Sequence, residues 1–174
     1  MKQLTVAIII FLLSMNFSLA QVHQQGTAAL DLSISKTGVG VIAGAGYLKN
    51  FNDNAYIYAR GLVELGRMYN FKYTHIGLDL SAYYSPFVVS DFFQLNLGVG
   101  ITTGYENIRG VSKTKNSSVG LMLGAKGGAN IEAFLSDQVG FFVFANQAYM
   151  FKKSLGSAYY EVGVGLRIFL NNYY

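Results

Sequence analysis

The sequence predicts an all-β fold, an eight-stranded antiparallel up-and-down transmembrane β-barrel that follows a cleaved signal peptide. The chain has 174 residues with 20 Gly, 13 Tyr and 13 Phe, but only 13% are charged, against about 25% in soluble domains. Apolar and polar residues alternate with a period of two in segment after segment, which indicates strands with one aliphatic face and one face of glycine and charge. Such strands suit a barrel with lipid outside and a narrow polar lumen inside.

Residues 1–20 have the pattern of a secretory signal peptide. Lys2 precedes an apolar run from Val6 to Leu13, and the small residues before Gln21 predict cleavage near Ala20. The apolar run is too short for a membrane-spanning helix. The chain has no Cys, which excludes a lipoprotein anchor and disulfides. We expect residues 21–174 to form one β-barrel domain, exported through the periplasm to the outer membrane of a Gram-negative bacterium.

The strand candidates have about 9 to 14 residues each, near the length that crosses a bilayer at a tilt. In chain order they are Thr27–Ser35, Val39–Leu48, Ala55–Met68, Tyr73–Tyr84, Phe92–Thr103, Val119–Phe134, Val139–Met150 and Ser157–Leu170. Ser85 and Pro86 are predicted to end the fourth strand, because proline cannot donate to a β-ladder. The second strand is rich in glycine and the seventh is apolar on both faces, so the pattern leaves their inner faces unassigned.

The closing strand, Ser157–Leu170, shows the two faces clearly. Leu166 and Ile168 lie on the apolar face, whereas Glu161 and Arg167 lie on the face with two glycines. Over the whole chain, seven charged residues fall on such polar faces: Arg60, Glu64, Asp79, Lys126, Glu132, Glu161 and Arg167. Four acids against three bases indicate ion pairs inside a lumen that holds side chains but no wide channel. We interpret these residues as a structural charge network; a gated proton or ion path is the alternative.

The longest predicted connection, Tyr105 to Ser118, carries Arg109, Lys113 and Lys115. With both termini in the periplasm, this connection lies outside the cell, and it is the candidate contact loop for a partner. Aromatic residues near strand ends are predicted to form interfacial girdles. They are Tyr47, Tyr69, Tyr84, Phe92, Phe93, Tyr105, Phe151, Tyr159, Tyr160, Tyr173 and Tyr174.

Catalytic and ligand-binding patterns are weak in this sequence. His75 and Asp79 share a strand face, but four strand residues separate them by about 13 Å. Gly98-Val-Gly100 lacks the third glycine of a dinucleotide site, and two His without Cys make no closed metal site. The formal net charge of +4 gives no case for nucleic acid. We expect no enzyme activity, no cofactor, no metal, no small-molecule substrate and no direct nucleic-acid binding.

Three segments resemble one family. The segments 95–107, with its Gly-Tyr-Glu, 131–137, before an apolar strand, and 162–169, in the closing strand, look like the conjugative transposon protein TraO of Bacteroidetes. The resemblance implies a non-enzymatic outer-membrane barrel in a conjugative DNA-transfer apparatus. It implies outer-membrane lipid and other proteins of that apparatus as partners, and no catalytic residues.

Two other interpretations remain open from the sequence. One is a generic small outer-membrane barrel with an adhesive or structural role, in which loops contact an extracellular partner. The other is a soluble secreted lipid-binding barrel, which would have its aliphatic faces inward. The direction in which the aliphatic side chains point separates the second of these from a membrane barrel.

Overall fold

The computed structural model describes residues 25–68, 71–89, 92–110, 118–152 and 158–170. The strands are β1 Ala28–Thr37, β2 Gly40–Asn52, β3 Ala55–Met68, β4 Phe71–Val89, β5 Phe93–Gly110, β6 Ser118–Phe134, β7 Val139–Lys152 and β8 Ala158–Leu170. Within these ranges no helix has the length and apolarity needed to cross a membrane. The predicted signal peptide, residues 1–20, lies outside the described residues.

The strands close into a barrel in sequence order, each antiparallel to the next. β1 completes the ring by pairing with β8, from Ala28 opposite Leu170 to Thr37 opposite Glu161. The predicted eight-stranded antiparallel up-and-down barrel is therefore confirmed. We call the end where β1 begins and β8 ends the terminal end, and the opposite end the distal end.

The barrel is apolar outside and polar inside, the reverse of a soluble β-barrel. Leu32 and Val99 on the outer face are 68% and 71% exposed, whereas Asp79 and Glu132 inside are fully buried. Most of the large aliphatic side chains point outward, and the alternation runs through β1 and β8 with a strict period of two. This orientation contradicts the soluble lipid-binding barrel, which requires an apolar interior.

The inner faces that the sequence left open are visible in the structure. β2 buries Ile42, Leu48 and Asn50 inside the barrel. β7 buries Phe142, Phe144, Asn146, Ala148 and Met150. β7 is apolar on both faces because its inward rings pack against charged groups of the lumen.

The predicted end of the fourth strand at Ser85 and Pro86 is wrong. β4 continues to Val89, and its register with β5 shifts between Tyr84 and Phe87. An irregularity of this kind leaves a residue unpaired, so proline at position 86 need not donate to the ladder. Ser85 N–H keeps a partner at the end of β3, donating to the carbonyl oxygen of Asn54 at 2.8 Å.

The predicted end of the fifth strand at Thr103 is also wrong, because β5 continues to Gly110 and pairs with β4 along its whole length. Of the predicted loop from Tyr105 to Ser118, residues 105–110 belong to β5 and Ser118 belongs to β6, and residues 111–117 lie outside the described residues. Arg109 belongs to β5, and Lys113 and Lys115 lie outside the described residues.

Candidate functional site

The seven charged residues singled out in the sequence all lie inside the barrel. Arg60, Glu64, Asp79, Lys126, Glu132, Glu161 and Arg167 are buried to at least nine tenths. The lumen also buries two acids and one histidine that were not counted among the lumen charges: Asp31, Glu106 and His75. Among the described residues the lumen therefore holds six acids against three bases and one histidine, an acidic excess larger than the sequence pattern indicates.

Arg167 is the centre of the cluster at the terminal end. Its Nη1 lies 2.5 Å from Glu132 Oε2, and its Nη2 lies 3.4 Å from Asp31 Oδ2. The guanidinium also stands over the rings of Phe142 and Tyr56, at 4.8 and 5.5 Å from their centroids. Two carboxylates and two aromatic faces thus compensate this charge for the loss of water.

The central cluster joins two bases to two acids. Lys126 Nζ lies 2.5 Å from Asp79 Oδ2, and Arg60 Nη1 lies 2.8 Å from Glu161 Oε1 and 3.9 Å from Asp79 Oδ2. Ser35 Oγ donates to Glu161 Oε1 at 2.5 Å. Arg60 and Glu161 come from β3 and β8, so this bond spans the lumen between strands that are not neighbours.

The distal cluster is acidic and only partly paired. Glu64 accepts a hydrogen bond from Thr37 Oγ1 at 2.5 Å, and His75 Nδ1 lies 3.5 Å from Glu64 Oε2. Glu106 is the register partner of His75 on β5. Among the described residues, neither carboxylate oxygen of Glu106 nor Nε2 of His75 has a hydrogen-bond partner. This end of the lumen therefore holds two buried carboxyl groups beside one imidazole.

Neutral polar side chains lie beside the Arg167 cluster, near the terminal end. Asn96 Nδ2 donates to Asn130 Oδ1 at 2.7 Å, and Asn130 Nδ2 donates to the Tyr56 hydroxyl at 3.0 Å. Ser85 Oγ donates to Asn96 Oδ1. Bonds between side chains of different strands make this layer a cross-brace and leave its polar atoms satisfied.

The middle of the barrel is filled with side chains. A cavity between Arg60, Arg167, Tyr83, Phe142 and neighbouring residues measures about 10 Å³, which is the room of about one water molecule. At this level the ion pairs and the rings that stack on them occupy the cross-section. Within the part of the chain that the structure describes, this cavity is too small for a solute larger than water.

The structure brings His75 to Glu64 rather than to Asp79, and the Thr37 hydroxyl donates to Glu64 rather than to the imidazole. Hydroxyl and imidazole therefore do not form the nucleophile–base pair of a hydrolase. In the part of the chain that the structure describes, no three His, Cys, Asp or Glu side chains stand together as metal ligands.

Of the three residues that the predicted lumen charge set left out, Asp31 and His75 could have been identified from the sequence pattern. Asp31 lies between Leu30 and Leu32, on the polar parity of β1, and His75 lies on the polar parity of β4. Glu106 could not be identified in this way, because the outward residues Asn107 and Arg109 are polar as well, so apolar and polar residues do not alternate there. The alternation stops beyond the aliphatic band, although the strand continues.

Several small outer-membrane barrels have this fold. Neisserial surface protein A shares 12% identity over 82% of this chain and 95% of its own, with a TM-score of 0.65. The outer membrane protein OprG of Pseudomonas aeruginosa shares 11% over 87% and 99%, with 0.58. The attachment invasion locus protein Ail of Yersinia pestis shares 10% over 84% and 100%, with 0.54. No family model matches this sequence, and neither does any curated protein sequence.

Proposed function

We propose that this protein is a non-enzymatic barrel of the outer membrane of a Gram-negative bacterium, stiffened by a charged and hydrogen-bonded interior. The observation that carries the proposal is the direction in which the side chains of the strands point. Aliphatic side chains meet the surroundings on every strand, while six acidic, three basic and one histidine side chain of the described residues are buried inside. An aqueous surrounding would leave this aliphatic area exposed at a cost of about 25 cal/mol per Å², whereas hydrocarbon removes that cost.

Two aromatic belts support a membrane location. Toward the terminal end the outward aromatic residues are Tyr47, Phe51, Tyr84, Phe87 and Phe93. Toward the distal end they are Tyr105, Tyr149, Phe151 and Tyr160. Rings of this kind favour the two membrane–water interfaces, and the aliphatic band between them matches the apolar band of outer-membrane barrels.

The filled lumen favours a structural role for the interior over conduction. Arg60 and Arg167 each join strands across the lumen and stack on inward rings of β7. A side chain held by a carboxylate on one side and a ring on the other is costly to displace.

Fractionation of cells that express the full chain tests this proposal. We expect the protein in the outer-membrane fraction, resistant to extraction with alkaline carbonate. In a gel, the unheated sample is expected to migrate differently from the boiled one, because a closed barrel resists detergent until it is heated. Recovery in the soluble periplasmic fraction would contradict the proposal.

A role in conjugative DNA transfer is the second candidate, and it rests on the resemblance to TraO. The segments that carry this resemblance, 95–107, 131–137 and 162–169, fall in β5, in the end of β6 with its turn, and in β8. Deletion of the gene from a donor strain is expected to lower the frequency of plasmid or transposon transfer, and the intact gene is expected to restore it. An unchanged transfer frequency would remove this candidate and leave the membrane barrel.

A further inference from the structure

Three basic residues lie side by side on the outer face of the barrel at its distal end. Arg67 on β3 is the register partner of Lys72 on β4, and Lys72 is the register partner of Arg109 on β5. All three side chains are exposed and point away from the lumen. We call Arg67, Lys72 and Arg109 the basic row.

The basic row has no acidic partner within the described part of the chain. Each ion pair found there joins residues of the lumen, and none includes Arg67, Lys72 or Arg109. Like charges directly opposite each other on paired strands destabilise a sheet. Two such contacts in succession therefore favour an anion from outside the chain that lies between the three side chains.

The level of the basic row indicates where that anion comes from. Two residues further into each strand, the outward positions are Leu65, Thr74 and Asn107; after two more they are Val63, Ile76 and Tyr105. Each step of two residues is about 6.6 Å along a strand. Toward the distal end, the outward side chains thus change from apolar and aromatic, through a mainly polar level, to the three positive charges of the basic row. This is the order of a membrane surface from hydrocarbon to lipid phosphate.

We propose that the basic row binds the phosphate groups of anionic lipid in the leaflet that surrounds the distal end of the barrel. The inference rests on the proposed function, because it requires the barrel to be inserted in a membrane. The side chains face sideways into the bilayer plane rather than over the mouth of the lumen, which favours lipid over a soluble polyanion. Two guanidinium groups provide the planar donor pairs that bind phosphate oxygens in bidentate fashion.

Native mass spectrometry of the refolded mature chain in nonionic detergent tests the proposal. The probes are phosphatidylglycerol and phosphatidylcholine with the same acyl chains, each added separately. The test variant carries Lys72→Gln and Arg109→Gln. The control carries Lys36→Gln and Lys49→Gln, two exposed bases whose register partners are all apolar. Both variants lose the same charge.

We expect the wild type and the control to retain phosphatidylglycerol in preference to phosphatidylcholine. Each base near an anionic surface contributes a factor of about five, so the test variant is expected to lose phosphatidylglycerol binding by roughly 30-fold. Equal retention of the two lipids by the wild type would overturn the proposal, and so would equal losses in both variants. Binding of inorganic pyrophosphate to the row as tight as that of the lipid would also overturn it, by assigning the row to a soluble anion.

Heat-dependent gel migration of the same proteins in phosphatidylcholine vesicles separates this proposal from the proposed function. A barrel that inserts there, but has no preference for phosphatidylglycerol, overturns the role of the basic row alone. A chain that does not insert contradicts the membrane barrel itself.

Discussion

Arg167 Nη1 on β8 lies 2.5 Å from Glu132 Oε2 on β6. These two strands are not neighbours in the barrel, so no ladder of hydrogen bonds joins them directly. The same guanidinium reaches Asp31 on β1 and stands over Phe142 on β7. Together with its contact to Tyr56 on β3, this one buried side chain connects five strands of the ring. Ladder hydrogen bonds join neighbours only, so contacts of this kind resist flattening of the barrel.

Replacement of Arg167 by Met is expected to destabilise the barrel by about 3–5 kcal/mol, because it leaves buried carboxylates without their base. The double variant Arg167→Met with Glu132→Gln is expected to cost less than the sum of the single changes. Urea unfolding of the barrel in phosphatidylcholine vesicles measures both costs. Arg167→Met with Glu64→Gln serves as the additive control, since Glu64 lies in a separate cluster. Additive costs in both pairs would contradict the ion-pair account.

Val99 lies on the outer face between the two aromatic belts and is 71% exposed. Val99→Arg is expected to destabilise the inserted barrel by about 2–4 kcal/mol, because the charge enters the middle of the hydrocarbon. Tyr105→Arg, on the same strand at the distal belt, places the charge near the interface and is expected to cost about 1 kcal/mol or less for the charge. On a soluble surface the two positions would tolerate arginine equally, so urea midpoints that agree would contradict the membrane assignment.

The sequence predicted the strands and the direction of their side chains wherever the outer face is aliphatic and the inner face lines the lumen with polar residues. In β8, Leu166 and Ile168 meet the outside while Glu161 and Arg167 meet the lumen, so two different solvents impose a period of two. β3 was predicted with its observed bounds, Ala55–Met68. The closing pair, β1 with β8, followed from the strand count and the alternating chain direction.

The errors arose where one of these two solvents changes. Beyond the aliphatic band, Glu106 faces inward and Asn107 outward, so polarity no longer distinguishes the faces and β5 seemed to end early. In β7, the inward rings of Phe142 and Phe144 stack on the guanidinium groups of Arg167 and Arg60. The inner face of this strand is therefore apolar although it lines a charged lumen, and the sequence pattern left it unassigned. The sequence could not predict which lumen charges pair with each other, because most of the ion pairs join strands that are distant in the sequence.

Gly165 on β8 faces inward, and a Cβ there would overlap the Phe142 ring that packs on Arg167. Gly165→Ala is therefore expected to destabilise the barrel by about 1–3 kcal/mol through overpacking. Gly61 on β3 faces outward, where the nearest atom to an added Cβ is Ala45 O at 3.9 Å. Gly61→Ala is the matched control and is expected to be neutral or slightly stabilising. Equal urea midpoints for the two variants would remove the packing argument for glycine in this lumen.

Glu106 and Glu64 offer the same substitution in two different environments of the distal lumen. Glu64 receives a hydrogen bond from Thr37 and lies beside His75 Nδ1, so Glu64→Gln is expected to destabilise the barrel by about 1–3 kcal/mol. Glu106 is 1% exposed, and neither of its carboxylate oxygens accepts a hydrogen bond among the described residues. Glu106→Gln replaces a buried carboxyl group that has no such partner, so it is expected to leave stability unchanged or to raise it. Urea unfolding at neutral pH compares the two variants. A loss of stability in Glu106→Gln as large as that in Glu64→Gln would show that Glu106 has a partner in the folded barrel, and that the acidic excess of the lumen is compensated.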